Sequence, residues 1–383
     1  MKKRIISILL VSVLAASLFA GCGSQKESQG EGAQSVDREQ TAEKEFTIKI
    51  ATPSTRVFAN PLNAIANAKG YFDELNVKTE EITVDGMAQF ESLSVGKVDT
   101  TYGQLVPPLS YGAKGSDVTL FGGTVSGGMV CVSTKDNSEE LKDAKNWKGK
   151  KIGVIQGATS EMVVRYALEK NYGYESGDEI EFVFIEDYPT IIIATQKGTV
   201  DIGFVGAANV EAANAAGLEL LFPLTDLREG YVCCRQTAYA PSLEGNRDGY
   251  VNYLKGQLKA YKDYKNNQDE VVDIVTEGSG ETKEKIQGLL YDADVNANQS
   301  YNPDPNYNGT LEVYQTLLKW KYIEKGGELS EFFDISIYAD ALKEIIEENP
   351  DDEFYKEVWN FFLENNSEYP QFSDTYNDSF LTS

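Results

Sequence analysis

Short apolar segments that end at small residues and lead into helical patterns recur along the first two thirds of the chain. Residues 152–155 form an apolar run typical of a strand, and Gly157 ends it. Thr159 and Ser160 are favourable N-cap residues, and residues 161–170 then show a helical pattern with an acid in the first turn. Such a turn leaves backbone N–H groups free to bind anions or polar ligand groups. The same turn is also common as an ordinary α/β connection.

One arrangement of these segments occurs twice. A Gly-x-Val-Asp sequence stands at residues 96–99 and again at residues 198–201, each time after a helical pattern. In both places a short strand ending in Gly, a helix, a further Gly and another strand follow, the last strands being residues 118–121 and 218–222. Because order and spacing agree over several elements, we predict an α/β fold with two related lobes.

Two similar strands are expected to join the lobes. Residues 128–133 leave the first repeat and residues 230–235 leave the second. The simplest arrangement takes the chain into a second lobe near the first of these strands and back at the other, which makes a hinge. Lobe 1 would then comprise residues 46–128 and 235–383, and lobe 2 residues 129–234.

The chain from residue 240 onward is mostly helical in pattern and acidic. Tyrosines and leucines at helical spacing in residues 246–265 favour a face packed on the core. Cys131, Cys233 and Cys234 are expected as small buried side chains. A disulfide between Cys131 and one of the other two is the alternative, since the sequence does not show whether their Cα atoms are close.

The N-terminus predicts export and a lipid anchor. Residues 1–21 combine a basic start with an apolar core too short for a transmembrane helix, which is typical of a lipoprotein signal peptide. Cys22 follows Ala and Gly as in a bacterial lipobox and would be lipidated, although Phe19 stands where Leu is usual. Residues 22–45 are polar and would form a disordered tether. We therefore expect the protein on the extracytoplasmic face of the cell membrane.

The composition excludes several kinds of chemistry. The 383 residues include 35 Lys and Arg against 60 Asp and Glu, a net charge of -25, which disfavours nucleic acid as a partner. There is no His, which excludes every His-based triad, general base and metal ligand. No Cys-x-x-Cys occurs, so neither a zinc ribbon nor a bound metal is expected, and we predict no cofactor.

Ligands of α/β sheets bind beyond the C-terminal ends of the strands, and two facing lobes would bring those ends into one cleft. The residues at these ends are small, polar or aromatic, which favours capture over catalysis. The predicted ligand-binding residues are Ser54, Thr55, Asp85, Met87, Tyr102, Gln104, Ser126, Gly157, Thr159, Ser160, Asp187, Tyr188 and Asn209.

The pattern leaves the ligand class open. An anion would bind at the helix start near Thr159, but Asp85 and Asp187 near the same cleft disfavour a bare anion. A neutral or cationic heteroaromatic stacked on Tyr102 or Tyr188 is the alternative. An exported enzyme using paired acids such as Glu186 and Asp187, or a signalling or adhesive ectodomain, is the rival class of function.

An ordered set of segments resembles one known family. These segments are KGYF at residues 69–72, GKVD at 96–99, WKGKKIGV at 147–154, GTVD at 198–201, and the helical pattern at 250–264. Together they resemble the substrate-binding lipoproteins of ABC importers, of the nitrate, sulfonate, taurine and thiamine-precursor type. The resemblance extends from about residue 46 to about residue 290, and more weakly to the end.

The resemblance implies a type II periplasmic-binding-protein fold, with two α/β lobes, two hinge strands and a helical C-terminal tail. It implies a monomer that closes around a small organic molecule and delivers it to a permease driven by a separate ATPase. By position, family ligand contacts would come from Ser54 and Thr55, from residues 102–104 and from residues 157–160. Some relatives are enzymes that use iron and His residues, and the absence of His here argues against that role.

Overall fold

Ten strands form the framework of the described part of the protein. The computed structural model describes residues 45–54, 56–84, 86–174, 179–377 and 380–381. The predicted signal sequence, Cys22 and most of the tether lie outside these residues. The strands are β1 (Phe46–Thr52), β2 (Val77–Thr83), β3 (Thr100–Gln104), β4 (Val118–Gly123), β5 (Met129–Thr134), β6 (Lys151–Val154), β7 (Glu181–Phe184), β8 (Ile202–Gly206), β9 (Leu218–Pro223) and β10 (Cys234–Tyr239).

Helices connect these strands and make up the C-terminal third. They are α1 (Arg56–Ala59), α2 (Pro61–Ala68), α3 (Tyr71–Glu74), α4 (Met87–Ser94), α5 (Val106–Ala113), α6 (Lys135–Leu141), α7 (Thr159–Tyr172), α8 (Tyr188–Gln196), α9 (Val210–Ala215), α10 (Ala240–Gly245), α11 (Arg247–Asn266), α12 (Gln268–Ser279), α13 (Lys283–Tyr291), α14 (Ala293–Asn296), α15 (Tyr307–Lys319), α16 (Ser336–Glu348), α17 (Glu353–Asn365) and α18 (Phe372–Thr375). Short 3₁₀ turns lie at Ala144–Trp147, Ala207–Asn209, Leu224–Asp226 and Leu329–Phe332. Within the described residues, no helix is both long and apolar enough to cross a membrane.

The strands form two five-stranded sheets, one in each lobe. The order is β2-β1-β3-β10-β4 in lobe 1 and β7-β6-β8-β5-β9 in lobe 2. In each sheet the strand next to the last runs antiparallel to its neighbours, and it comes from the chain that has just crossed between lobes. The two sheets therefore have the same topology, in which β10 in lobe 1 and β5 in lobe 2 occupy equivalent positions.

The repeated Gly-x-Val-Asp sequence performs the same task in both lobes. The carboxylate of Asp99 accepts a hydrogen bond of 2.8 Å from the backbone N–H of Lys49, and Asp201 accepts one of 2.8 Å from Lys151. Each Asp also donates its own N–H to the carbonyl of the same lysine, at 2.9 Å. The repeated motif thus ties the third parallel strand of each lobe to the first.

Three segments, rather than the two predicted, pair where the lobes join. The outgoing segment between β4 and β5 and the returning segment before β10 pair through Ser126 and Val232. Ser126 also exchanges backbone hydrogen bonds of 2.8 and 3.0 Å with Ser300, which belongs to the C-terminal region. Two crossing segments are present as predicted, although they pair through isolated bridges rather than as strands, and the tail adds a third segment that local pattern did not show.

The C-terminal helices cover lobe 1 and also reach lobe 2. Helix α11 packs against α2 and α16, and its tyrosine stripe is buried, with Tyr250 and Tyr253 fully enclosed as the pattern predicted. Helix α15 packs along α7 of lobe 2, where Arg228 makes a bidentate pair with Glu312 at 2.7 and 2.8 Å. The tail is therefore a support for both lobes.

The cysteines in the described part of the chain are free thiols. Cys131 is fully buried inside β5, and Cys233 and Cys234 are partly exposed. The alternative of a disulfide from Cys131 is therefore not what the structure shows, whereas the expectation of a small buried side chain is confirmed for this residue.

Candidate functional site

The strand ends of the two lobes meet directly. Leu105, which follows β3, donates its backbone N–H to the hydroxyl oxygen of Thr159 at the start of α7, at 2.9 Å. Both residues are buried, Thr159 to 1% exposure. Since β3 belongs to lobe 1 and α7 to lobe 2, the strand ends face each other across a closed contact.

The turn after β6 is satisfied by a carboxylate of its own helix. Glu161 is fully buried, and its Oε2 accepts the N–H of Gly157 at 2.7 Å. Its Oε1 accepts from Nε of Arg165 at 2.8 Å and from the hydroxyl of Tyr322 at 2.7 Å. The carboxylate of Glu161 is therefore already bonded to the backbone N–H of Gly157, which would otherwise be free to bind an anionic ligand.

The predicted cap of this helix is wrong. Helix α7 begins at Thr159 and its N-cap is Ala158, whose side chain makes no capping bond. Thr159 is the first helical residue rather than the cap, and its hydroxyl accepts from Leu105 in the other lobe. Glu161 bonds the turn from within the first helical turn instead.

An aromatic residue and a thioether line the lobe 2 side near the crossing. The hydroxyl of Tyr188 lies 3.7 Å from Sδ of Met129, the first residue of β5. A Cβ atom placed on Gly206 would lie 3.6 Å from Cε2 of Tyr188 and 3.8 Å from Nδ2 of Asn209. The ends of β5, β7 and β8 thus bring together Tyr188 and Asn209, two predicted residues, and Met129, which the sequence reading missed.

Two phenols near the crossing are neutral at physiological pH. Burial raises the pKa of Tyr188, and the nearby thiols of Cys233 and Cys234 add to the shift. Burial likewise raises the pKa of Tyr231, which lies beside the backbone of Met129. Tyr188, which is half-buried, can offer uncharged ring surface and a hydroxyl group to a ligand, whereas Tyr231 is buried in the core.

Lobe 1 contributes buried polar groups at its own strand ends. Thr52 ends β1, Thr124 follows β4, and Gln89 lies in the first turn of α4. All three are buried, and Oγ1 of each Thr and Nε2 of Gln89 have no hydrogen-bond partner within the described residues. Because such groups are costly to bury unpaired, a polar ligand or water is the expected partner. The residues predicted from the sequence were Ser54 and Ser126, which follow Thr52 and Thr124, respectively, by two positions.

The other predicted residues are placed in different surroundings. Tyr102 is 1% exposed and belongs to the hydrophobic core, whereas Met87 is 50% exposed and Gln104 is also exposed. Ser54 is exposed, Ser126 is half-buried in the crossing and Ser160 is buried beside Thr159. Thr55 and Asp85 lie outside the described residues.

Asp187 has a local structural task. Its carboxylate accepts the N–H of Thr190 at 2.8 Å and so caps α8. Hydrogen bonds from the side chain and backbone of Thr190 lower the pKa of Asp187. The carboxylate is therefore ionised at neutral pH, at the start of the helix that carries Tyr188.

A surface pocket of about 720 Å³ lies on the flank of lobe 2. There the guanidinium of Arg165 lies 4.1 Å from the ring centre of Phe182 and 4.8 Å from that of Trp320. Gln156 and Phe184 line the same pocket from the ends of β6 and β7. Within the residues that the structure describes, no cluster of three or more acidic or thiol side chains could hold a metal ion.

Comparisons with known proteins show the relatives of the fold. The family described as "NMT1/THI5 like" matches residues 63–271. No curated protein sequence matches the chain significantly.

Solved structures of transport proteins share the fold. The periplasmic aliphatic sulphonate binding protein SsuA from Escherichia coli is 16% identical, with a TM-score of 0.60 over 75% of this chain and 91% of its own. A putative periplasmic sulfonate-binding protein from Methylobacillus flagellatus is 16% identical, with a TM-score of 0.65 over 80% and 97%. The periplasmic nitrate-binding protein NrtA from Synechocystis is 14% identical, with a TM-score of 0.60 over 79% and 89%. These likenesses confirm the predicted two-lobed periplasmic-binding-protein fold.

Proposed function

The chain belongs to the NMT1/THI5-like family, and from this premise we propose that it is the extracytoplasmic solute-binding component of an ABC importer. It captures a small organic molecule between its lobes and passes it to a permease driven by a separate ATPase. The observation that carries the proposal is the contact between the two lobes through Leu105 and Thr159, together with buried polar groups at the strand ends of lobe 1 that have no partner among the described residues. Binding proteins of this architecture hold ligands at such facing strand ends.

The ligand that this cleft suits best is uncharged or cationic, with an aromatic ring, rather than a bare oxyanion. The amide of Gly157 already bonds the carboxylate of Glu161, and Arg165 is paired with the same carboxylate. Tyr188 supplies a neutral ring, and Thr52 and Thr124 supply hydroxyl groups. Sulfonate, taurine and nitrate, which all present an anionic oxygen group, would have to displace Glu161 or bind without a helix N-terminus.

Isothermal titration against two panels tests this proposal. One panel contains pyrimidines and related heteroaromatics, and the other contains alkyl sulfonates, taurine and nitrate. Tight binding is expected for a member of the first panel, and Tyr188→Ala should weaken it at least about tenfold, a loss of about 1.4 kcal/mol. Tyr174→Ala is the matched control, because Tyr174 is also half-buried but follows the far end of α7, where its hydroxyl bonds the carbonyl of Lys145.

Three results would count against the assignment. Equal effects of Tyr188→Ala and Tyr174→Ala would place the ligand elsewhere. Tight binding of an oxyanion only would overturn the proposed ligand class while preserving the solute-binding role. No affinity for any small molecule, with a normally folded protein, would favour a signalling or adhesive ectodomain.

Turnover separates capture from catalysis. Asp187, the acid best placed for general acid or base chemistry, caps α8 and is held ionised, which suits a structural role. We therefore expect a bound ligand to be recovered chemically unchanged after prolonged incubation. A new product formed in proportion to protein concentration would support the rival enzyme.

The proposed location rests on the N-terminal sequence. We propose that Cys22 is acylated and that residues 22–45 tether the folded part, a monomer, to the outer face of the cell membrane. Metabolic labelling with a radioactive fatty acid should mark the wild-type protein, and Cys22→Ser should abolish labelling and release the protein from membranes. Membrane retention of unlabelled Cys22→Ser protein would contradict the anchor.

A further inference from the structure

Two adjacent cysteines lie in the returning segment near Tyr188, with their sulfur atoms close together. Consecutive side chains of a regular strand point to opposite faces of the sheet. Cys233 and Cys234 depart from this rule, because their Sγ atoms are only 3.2 Å apart. The thiols therefore share one side of the returning segment.

The backbone explains this arrangement. The N–H groups of Cys233 and Cys234 both donate to the carbonyl oxygen of Val125, at 3.2 and 2.9 Å. In a regular strand consecutive N–H groups point in opposite directions, so the chain must kink immediately before the regular pairing of β10 begins at Cys234. Pairing with the outgoing segment thus holds the two thiols next to each other.

The surroundings make one of the thiols nucleophilic. The hydrogen bond between the two thiols, together with the positive charge of Arg235, lowers the pKa of Cys233. The guanidinium of Arg235 is buried and donates to the carbonyl of Cys234 at 2.7 Å. Cys131 differs from this pair, since it is fully enclosed and burial raises its pKa. Partly exposed thiols beside a cation are the reactive kind.

We propose that Cys233 and Cys234 form a redox-active vicinal dithiol, a modification site that closes to a disulfide between neighbouring residues. The oxidant is a disulfide of a small thiol or of a thiol oxidoreductase, as expected outside the cytoplasm, and this step rests on the extracytoplasmic location proposed above. The thiolate of Cys233 attacks that disulfide and expels one thiolate, leaving a mixed disulfide. The thiolate of Cys234 then attacks Sγ of Cys233 and expels the second. Two protons and two electrons leave the protein, and the oxidant becomes two thiols.

The closed ring is strained and therefore reversible. A disulfide needs sulfur atoms about 2.05 Å apart, so the two atoms must approach by about 1.2 Å from their separation of 3.2 Å. Adjacent Cα atoms across a trans peptide are about 3.8 Å apart, below the usual range of roughly 4.4–6.8 Å for disulfides. Strained disulfides are the easily reduced ones. Closure also turns the amides that bond Val125, so oxidation acts on the contact between the crossing segments.

Peptide mapping of the folded wild-type chain tests the proposal without knowledge of the solute. The protein is incubated with oxidised glutathione, alkylated under denaturing conditions and digested with trypsin, which releases residues 229–235 with both cysteines. We expect this peptide unalkylated, lighter by two hydrogen atoms than its reduced form and free of glutathione. Dithiothreitol applied before alkylation should restore two alkylated cysteines, and the peptide that contains Cys131 should be alkylated throughout.

Cys234→Ser is the matched control. Without the resolving thiol, the same treatment should leave one glutathione on Cys233. Wild-type peptide alkylated at both cysteines, carrying glutathione on both, or bonded to another chain would each overturn the proposal. A Cys234→Ser protein that never acquires glutathione would overturn the assignment of Cys233 as the attacking thiol.

Discussion

The two lobes share one framework but bury their charges differently. Both sheets have the same strand order, and Asp99 and Asp201 bond the first parallel strand of their lobes at the same distance. In lobe 2 the buried acid Glu161 bonds Arg165 directly at 2.8 Å. In lobe 1 Asp304 accepts instead from the amide of Asn306 and from Asn366, at 2.8 and 3.2 Å.

The buried arginines differ in the same way. Arg235 of lobe 1 donates to the carbonyl oxygens of Pro305 and Cys234, both at 2.7 Å, and burial lowers its pKa to about 10. Burial also raises the pKa of Asp304 to about 7. The aspartate clamps are thus the same in both lobes, whereas the buried charges differ. Those of lobe 2 stabilise the turn after β6, and those of lobe 1 stabilise the segments that cross between the lobes.

Glu161→Gln should have the largest effect on this comparison. The substitution leaves Arg165 buried without its anion and puts an amide N–H₂ group against a hydrogen-bond donor, either the N–H of Gly157 or the guanidinium of Arg165. We expect a loss of about 3–5 kcal/mol in the free energy of unfolding, measured with urea. Glu211→Gln, which changes an exposed acid in the first turn of α9, should cost less than about 0.5 kcal/mol. Similar losses for the two variants would mean that the carboxylate of Glu161 is not needed by the turn.

Asp304 should make stability fall as the pH rises. Its folded pKa of about 7 exceeds the value near 3.8 of an unfolded Asp, so its contribution is complete below pH 3.8 and is lost as the pH rises through 7. Asp304→Asn should remove this pH dependence. Between pH 4 and pH 8, the free energy of unfolding of the variant should therefore rise by about 2–4 kcal/mol relative to that of the wild type. The absence of His leaves this interval free of imidazole titration. A variant whose unfolding free energy runs parallel to that of the wild type would contradict a raised pKa.

Asp99→Ala and Asp201→Ala compare the two clamps directly. Each removes an acceptor for a backbone N–H, so we expect about 1–3 kcal/mol from each. Asp99 also accepts from the hydroxyl of Ser242 at 2.8 Å, so its loss should be the larger. Because the sites lie in different lobes, the double variant should show additive losses in thermal or urea unfolding. A negligible loss of unfolding free energy at either site would show that the two aspartates do not play the same structural role.

Lys319→Ala should have the smallest effect. Lys319 at the end of α15 pairs with Glu169 of α7, but their side chains are 51% and 33% exposed. Exposed pairs are worth about 0.2–1 kcal/mol, and added salt should reduce the difference from the wild type. A loss of several kcal/mol would show that α15 holds lobe 2 mainly through this pair rather than through packing.

The two-lobed fold and the duplication could be predicted from the sequence, and the family resemblance could be seen there. Strand ends and the Gly-x-Val-Asp motif are encoded by residues that are close together in the chain. Local pattern could not predict that Ser300 joins the crossing or that Tyr322 reaches Glu161, since those contacts join distant parts of the chain. Alternation also did not distinguish Tyr102, which is in the core, from Tyr188, which lies near the cleft. Glu161 resembled any acid in a first helical turn, and only its burial reveals its role.

A crystal structure of the complex with the tightest ligand from the two panels would locate the binding site. We expect the ligand between the lobes, with its ring against Tyr188 and a polar atom bonded to Thr52 or Thr124, while Glu161 still accepts the N–H of Gly157. A ligand seated in the flank pocket beside Phe182, or an oxyanion that has replaced Glu161 at Gly157, would show that the cleft is assigned wrongly.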